Sequence, residues 1–256
     1  MKKTIISALL AALALATTSA SAMVVTATND ANLLSSAIGG QGVTISNAVL
    51  SAASSTGAGT FTAGGNLGFD SGILLTTGTV NCAPGPNNQG SCSGSGTTTS
   101  LRFDFTSTTG NIFFNYVFAS EEYLEFVGTS FNDIFELKLN GTNIALLPGG
   151  GGIVSINNVN STINSSFYRN NTPTTIDTQY DGLTTMLTAQ ASGLVGVNTF
   201  EFLIRDQGDS SLDSGVFIQA GTFSAEPPLP VPEPGSIALM GLGLAGLYAA
   251  KRKKAA

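Results

Sequence analysis

The chain has 256 residues, 42% of them hydrophobic and 10% charged, with 31 glycines. That length can bury a core of ordinary domain size, and the composition favours strands and turns. There is no His or Trp and there are two cysteines, which excludes histidine-based acid/base chemistry, Ser-His-Asp triads, His-ligated zinc and four-thiolate metal sites. The net charge of −6 conceals a sorting: Lys2, Lys3, Lys251, Arg252, Lys253 and Lys254 sit at the ends, leaving Arg102, Lys138, Arg169 and Arg205 among 16 acids. A body so acidic repels nucleic acid and attracts divalent cations.

Residues 1–22 have the three parts of a secretory leader. Lys2 and Lys3 form its basic start, Ile5 to Ala16 its apolar stretch, and Ala20-Ser21-Ala22 its small-residue cleavage site. The mature chain is expected to begin near Met23. Asp30 to Ile38 then reads as one short helix, with Asp30 as N-cap, Leu33, Leu34 and Ile38 at helical spacing, and Gly39-Gly40 as the stop.

Alternating strands follow. Leu101, Phe103 and Phe105 alternate with polar residues, as do Phe135, Leu137 and Leu139, and Phe200, Phe202 and Ile204 stand two apart in the same way. Ile112 to Ala119 is apolar on both faces except at Asn115, the pattern of a strand near the middle of a sandwich. Asn140-Gly141 has the residues of a type I′ hairpin turn. The expected fold is all-β: an antiparallel β-sandwich of jelly-roll kind with one short N-terminal helix. Cys82 and Cys92 bracket a loop of Pro, Gly and Asn, and in an oxidising compartment they are expected to form a disulfide.

Acidic residues gather in three segments. Glu121, Glu122 and Glu125 follow the apolar strand, with Asn132-Asp133 shortly after; Asp181 lies in TQYDGLTT; Asp206, Asp209 and Asp213 fill a turn between two strands. Adjacent carboxylates repel unless a cation sits among them, and calcium takes 6 to 8 oxygens in loops of this kind. Calcium ligation by Glu121, Glu122, Asp181, Asp206, Asp209 and Asp213 is therefore the expectation, set against solvated loop acids. Two weaker enzymatic readings exist. DSGILLTTGT at 70–79 and DSGVFIQAGT at 213–222 each carry an Asp-Ser-Gly that could contribute to an aspartic dyad. Glu121, Glu122 or Asp133 could serve a carboxylate-pair glycosidase, and Tyr116, Tyr123, Tyr168 and Tyr180 could offer platforms to a sugar.

The C-terminal end changes character abruptly. A Pro-rich linker at 225–234 ends in Pro232-Glu233-Pro234; Ile237 to Ala250 is apolar but marginally long enough to cross a bilayer; KRKK follows. This order of features over 231–256 resembles the PEP-CTERM sorting signal. The resemblance implies a Gram-negative source, transient insertion in the inner membrane through 235–256, and cutting near Pro232, Glu233 and Pro234 by an exosortase-type enzyme. The strings YVFASEEYLEFVG, NDIFELKLNG, VSINNVN, YDGLTTMLTA and FLIRDQGDSSLDSGVFIQAGTF, with DANLLSSAIGGQGVTISNA and SGILLTTG before them, resemble the choice-of-anchor L domain, here placed at 23–224. That family implies an exported surface domain of β type and brings no catalytic activity with it. The expected function is thus a surface-sorted structural or adhesive protein of the extracellular polysaccharide matrix, stabilised by calcium and not an enzyme. The alternative is a glycan-binding or glycan-hydrolysing module.

Overall fold

A computed structural model describes residues 22–88, 97–207 and 211–228. The leader up to residue 21, Cys92, Asp209 and the sorting tail lie outside the described residues. One sheet has the order β1 (Val24–Ala27), β3 (Ala58–Thr62), β4 (Ser71–Thr76), β13 (Ser214–Gln219), β6 (Ile112–Ser120), β10 (Gly182–Thr184), β9 (Tyr168–Asn170), with β11 (Leu187–Ala191) also paired to β6. The other has the order β2 (Val43–Ser51), β5 (Thr98–Ser107), β12 (Asn198–Arg205), β7 (Ile134–Leu139), β8 (Thr142–Asn143). Neighbouring strands in both are antiparallel.

The alternation in sequence decides what the sheets bury. Leu101, Phe103 and Phe105 of β5, Phe135 and Leu137 of β7, and Phe200, Phe202 and Ile204 of β12 point to the facing sheet and are buried. They meet Ile73 and Leu75 of β4, Phe114, Tyr116 and Phe118 of β6, and Val216 and Ile218 of β13. Phe114 packs edge-on against Phe200 and Phe202, with ring centroids 5.3 Å apart in each case. Such geometry is favoured by the ring quadrupoles and adds to the burial of apolar area. The fold is an antiparallel β-sandwich.

A second core lies on the far side of the larger sheet. Leu74, Val117, Ala119 and Phe217 have the opposite parity to the residues just named, and are buried against Met23, Phe69, Val80, Ala83, Ile176 and Tyr180. The strands β4, β6 and β13 are therefore covered on both faces. This explains the uninterrupted apolar run of β6, whose Asn115 is satisfied by bonds to Gln219 and Thr188 at 2.8 and 2.7 Å.

The helix α1 spans Ala31–Ile38, and the Asp30 carboxylate accepts from the Asn32 and Leu33 amides at 3.0 and 3.1 Å. Its packed face differs from the one expected. Leu34 and Ile38 are buried, whereas Leu33 faces solvent. The Asn140-Gly141 turn joins β7 to β8 with positive φ at both residues, 49° and 86°, as a type I′ hairpin requires.

Cys82 ends a 3₁₀ turn at Val80–Cys82, and no cysteine among the described residues is free. Its pairing with Cys92 is a proposal. Closing so short a loop contributes on the order of 2 to 3 kcal/mol. In sequence the two cysteines fall between β4 and β5, so reduction is expected to lower the melting temperature while leaving the far-UV dichroism of the native sandwich intact at 25 °C. Loss of that signal on mild reduction would show the bridge to be needed by the core.

Candidate functional site

The period of the strands places the acids. In β7 the inward positions are Phe135, Leu137 and Leu139, so the next inward position toward the strand's start is Asp133. In β12 they are Phe200, Phe202 and Ile204, so the next beyond its end is Asp206. The register pairs Ile134 with Arg205, which sets Asp133 beside Asp206 at one end of the sandwich. From the facing sheet Glu122 arrives two residues past the end of β6, its amide held by Ser120 Oγ at 3.0 Å. The three carboxylates each bring an oxygen within 4.8 Å of the other two. All are buried: Glu122 is 1% exposed, Asp133 0% and Asp206 6%.

The backbone around the group is fixed by several bonds. Gln207 N–H donates to Asp133 Oδ1 at 2.9 Å, Ser214 Oγ donates to Asp133 Oδ2 at 2.6 Å, and Asp206 N–H donates to Thr97 O at 2.9 Å. The segment just after β12 and the start of β13, one from each sheet, thus converge on Asp133.

Among the described residues the four cationic side chains are placed elsewhere. Lys138 pairs with Glu136 at 3.2 Å on the outward face of β7. Arg169 donates to the carbonyls of Leu67 and Asn66. Arg102 stands opposite Glu201 in the β5/β12 ladder. Arg205 is exposed and, by strand alternation, points away from Asp206. Three ionised carboxylates at this spacing repel by about 3 to 4 kcal/mol per pair at an effective dielectric near 20. A cation from solution would remove that repulsion. Oxygens on opposite sides of a calcium ion stand about 4.8 Å apart, because each Ca–O distance is about 2.4 Å. Oxygens within that distance of one another are close enough to share one coordination sphere.

The other expected ligands are arranged differently. Asp213 has the parity of the second core: its Oδ2 accepts from Thr76 Oγ1 at 2.8 Å and from Tyr180 O–H at 3.2 Å. Glu121 donates its amide to Asp213 O at 3.0 Å, continuing the β6/β13 ladder. Burial, together with the charges of Asp213 and Glu121, holds the Tyr180 hydroxyl well above the ordinary tyrosine range. Asp181 accepts from Asn87 Nδ2 at 2.6 Å and from Thr172 Oγ1 at 3.2 Å, and is not one of the three grouped acids. Asp209 lies outside the described residues. Asp133 is the grouped residue that the expected ligand set lacked; its parity with Phe135 and Leu137 was the signal that could have found it.

Two other expectations are corrected. Tyr116, Tyr123 and Tyr180 are at most 1% exposed, so none can stack on a sugar; the half-buried Tyr168 is the exception, and its hydroxyl is pushed up to about 12 by burial and the charges of Asp181 and Glu125. The two Asp-Ser-Gly segments do not make a dyad. Antiparallel β4 and β13 pair Thr76 with Gly215 and Gly72 with Gln219, which places Asp70 and Asp213 at opposite ends of the ladder, roughly 25 Å apart.

The Asp181 carboxyl is itself raised, first by burial and further by Glu125, against the lowering effect of the Asn87 and Thr172 bonds. A raised carboxyl favours the fold in its protonated form. That contribution is present below the unfolded carboxylate range and is lost as pH rises through the raised value. Asp181→Asn keeps an oxygen acceptor without the charge. At pH 7 its melting temperature is expected to equal the wild type's or exceed it by up to about 2 °C, an advantage that disappears near pH 4.

Comparison with known proteins supplies two matches. Residues 20–224 match the model of the choice-of-anchor L domain, and residues 230–253 match the PEP-CTERM protein-sorting motif. No curated protein matches, and no solved structure does. Among the described residues no helix is long and apolar enough to cross a membrane; Ile237 to Ala250 lies outside them.

Proposed function

The chain belongs to the choice-of-anchor L family and is an exported, exosortase-processed surface protein, and from that premise we propose that it is a structural, non-catalytic component of the polysaccharide matrix outside a Gram-negative cell, its sandwich closed at one end by calcium. The observation that carries the reading is the buried group of Glu122, Asp133 and Asp206, contributed by three strand ends from both sheets. An ion held there ties the sheets together at the end where β6, β7, β12 and β13 leave or enter the core. Ligands fixed by the strand register are preorganised, and an affinity of about 10⁻⁴ to 10⁻³ M is sufficient for occupancy outside the cell. Glu121 and Asp213 belong to the same acidic end and add to its attraction for cations. A Cys82–Cys92 bridge would restrain the loop between β4 and β5.

The test uses the exported protein purified from its producer. Elemental analysis after dialysis against calcium is expected to give about one ion per chain, and the protein is expected to sediment with the producer's exopolysaccharide without shortening it. A calcium-free protein overturns the metal site; shortened chains overturn the non-catalytic role.

A further inference from the structure

The boundary between leader and body coincides with a change in burial. Ala22 is exposed, whereas Met23 is 4% exposed and belongs to the second core. The strand β1 begins at the next residue and pairs with β3 from Val24 opposite Thr62. Met23 N also lies 2.5 Å from Asp177 Oδ2.

The position of Asp177 is set by its loop. On one side Thr178 Oγ1 and Gln179 N–H both donate to Ala83 O, at 2.7 and 2.9 Å. Pro84 and Thr178 form an isolated bridge. At Gly85 a Cβ would come within 2.8 Å of Asp177 Oδ1, so the absence of a side chain there leaves room for the carboxylate. The carboxylate is half-buried and faces the nitrogen of the first buried residue.

We propose that Asp177 is the receptor for the mature N-terminus: signal-peptidase cleavage between Ala22 and Met23 creates an ammonium group that Asp177 captures as an ion pair. In the cleavage the Ala22–Met23 C–N bond breaks and water supplies hydroxyl to the Ala22 carbonyl carbon. The two protons of water and of the new carboxylic acid finish on the Met23 nitrogen, leaving a carboxylate on the leader and an ammonium on the body. Before the cut, Met23 offers one amide N–H to Asp177. Afterwards it offers a positive charge with three N–H donors, which adds ion-pair attraction to a bond that the carboxylate acceptor already made charge-assisted. The pair secures the already buried Met23 and holds the edge strand β1 at its start. Maturation thereby strengthens a contact at the point where the leader is removed.

The experiment expresses the full chain with its leader in a secreting bacterium and extracts it in mild detergent. The N-terminal residue of the exported protein is expected to be Met23. Asp177→Asn should lower the melting temperature by about 2 to 4 °C in the cleaved protein. It should lower it by less than half as much when Ala20→Tyr keeps the leader attached. If Asp177→Asn does not accumulate, acylation of the wild-type α-amino group at neutral pH gives a second measurement, expected to be at least tenfold slower in the native than in the unfolded protein. A first residue other than Met23, equal losses in the cleaved and uncleaved backgrounds, or an α-amino group reacting at the unfolded rate would each overturn the proposal.

Discussion

In calcium the wild type is expected to melt about 5 to 10 °C higher than in chelator, and Asp133→Asn is expected to abolish the difference. The magnitude follows from linkage. At a calcium concentration 100 times the dissociation constant, binding to the native state alone contributes about 2.7 kcal/mol, and each kcal/mol moves the midpoint of a chain this size by about 2 to 4 °C. Asp133→Asn removes one of three buried charges while keeping an oxygen to accept from Gln207 N–H. In chelator the variant should therefore melt at or above the wild type, because a carboxylate repelled by Glu122 and Asp206 is gone. With calcium it should melt below the wild type, which gains the ion. The two curves cross, and an ordinary loss of packing does not produce a crossing. Glu122→Gln should behave in the same way. Asp213→Asn should lower the midpoint under both conditions and leave the calcium increment in place, since Asp213 is turned to Thr76 and Tyr180. A midpoint indifferent to calcium and chelator in the wild type would reduce Glu122, Asp133 and Asp206 to a purely structural polar cluster.

The strands were legible because one face of each is apolar and the other is not. Phe103, Phe135, Phe200 and their neighbours two residues away announce the inner face, and the same parity extended by one step reaches Asp133 and Asp206. What sequence proximity could not do was sort acids that are adjacent in the chain. Glu121 and Glu122 differ by one position, and a step of one reverses the face of a strand. The pairing of Asp133 with Asp206 depends on the β7/β12 register across 73 residues of sequence, which no local pattern encodes. The burial of Tyr116 was implicit in its parity with Phe114 and Phe118. That of Tyr180 was not, because it depends on the loops from 65 to 84 and from 176 to 183 covering the outer face of the larger sheet. Leu33 misled for a related reason: helical spacing identifies a stripe, and the neighbouring strand decides which edge of that stripe is covered.

Replacing Pro232, Glu233 and Pro234 with Ala is expected to leave an uncut protein in the inner membrane, with the sandwich unaltered. The two halves of this expectation have separate physical grounds. The folded body makes its last ties to the chain where Ser224 pairs with Phe113 and Ala225 N–H donates to Gln41 O at 2.8 Å. Beyond that point the Pro-rich composition favours an extended chain, which at about 3.1 Å per residue would carry the motif roughly 20 Å from Glu226. A processing enzyme in the membrane can therefore reach the motif without disturbing a strand, and the triple substitution should leave the melting temperature of the body unchanged. Ile237 to Ala250 spans about 21 Å as a helix, short of the roughly 30 Å of bilayer hydrocarbon. So short and Gly-rich a segment suits a tether held for a limited time, with Lys251, Arg252, Lys253 and Lys254 keeping its end on the cytoplasmic side. Without the motif nothing releases that tether, and the product should be larger by the mass of the retained tail and fractionate with the inner membrane. Replacing the four basic residues with Ser while keeping the motif should instead weaken retention before cutting, so that part of the protein escapes with its tail still attached. Processing and export of the motif variant at the wild-type rate would show that the cut is directed by some other part of the chain.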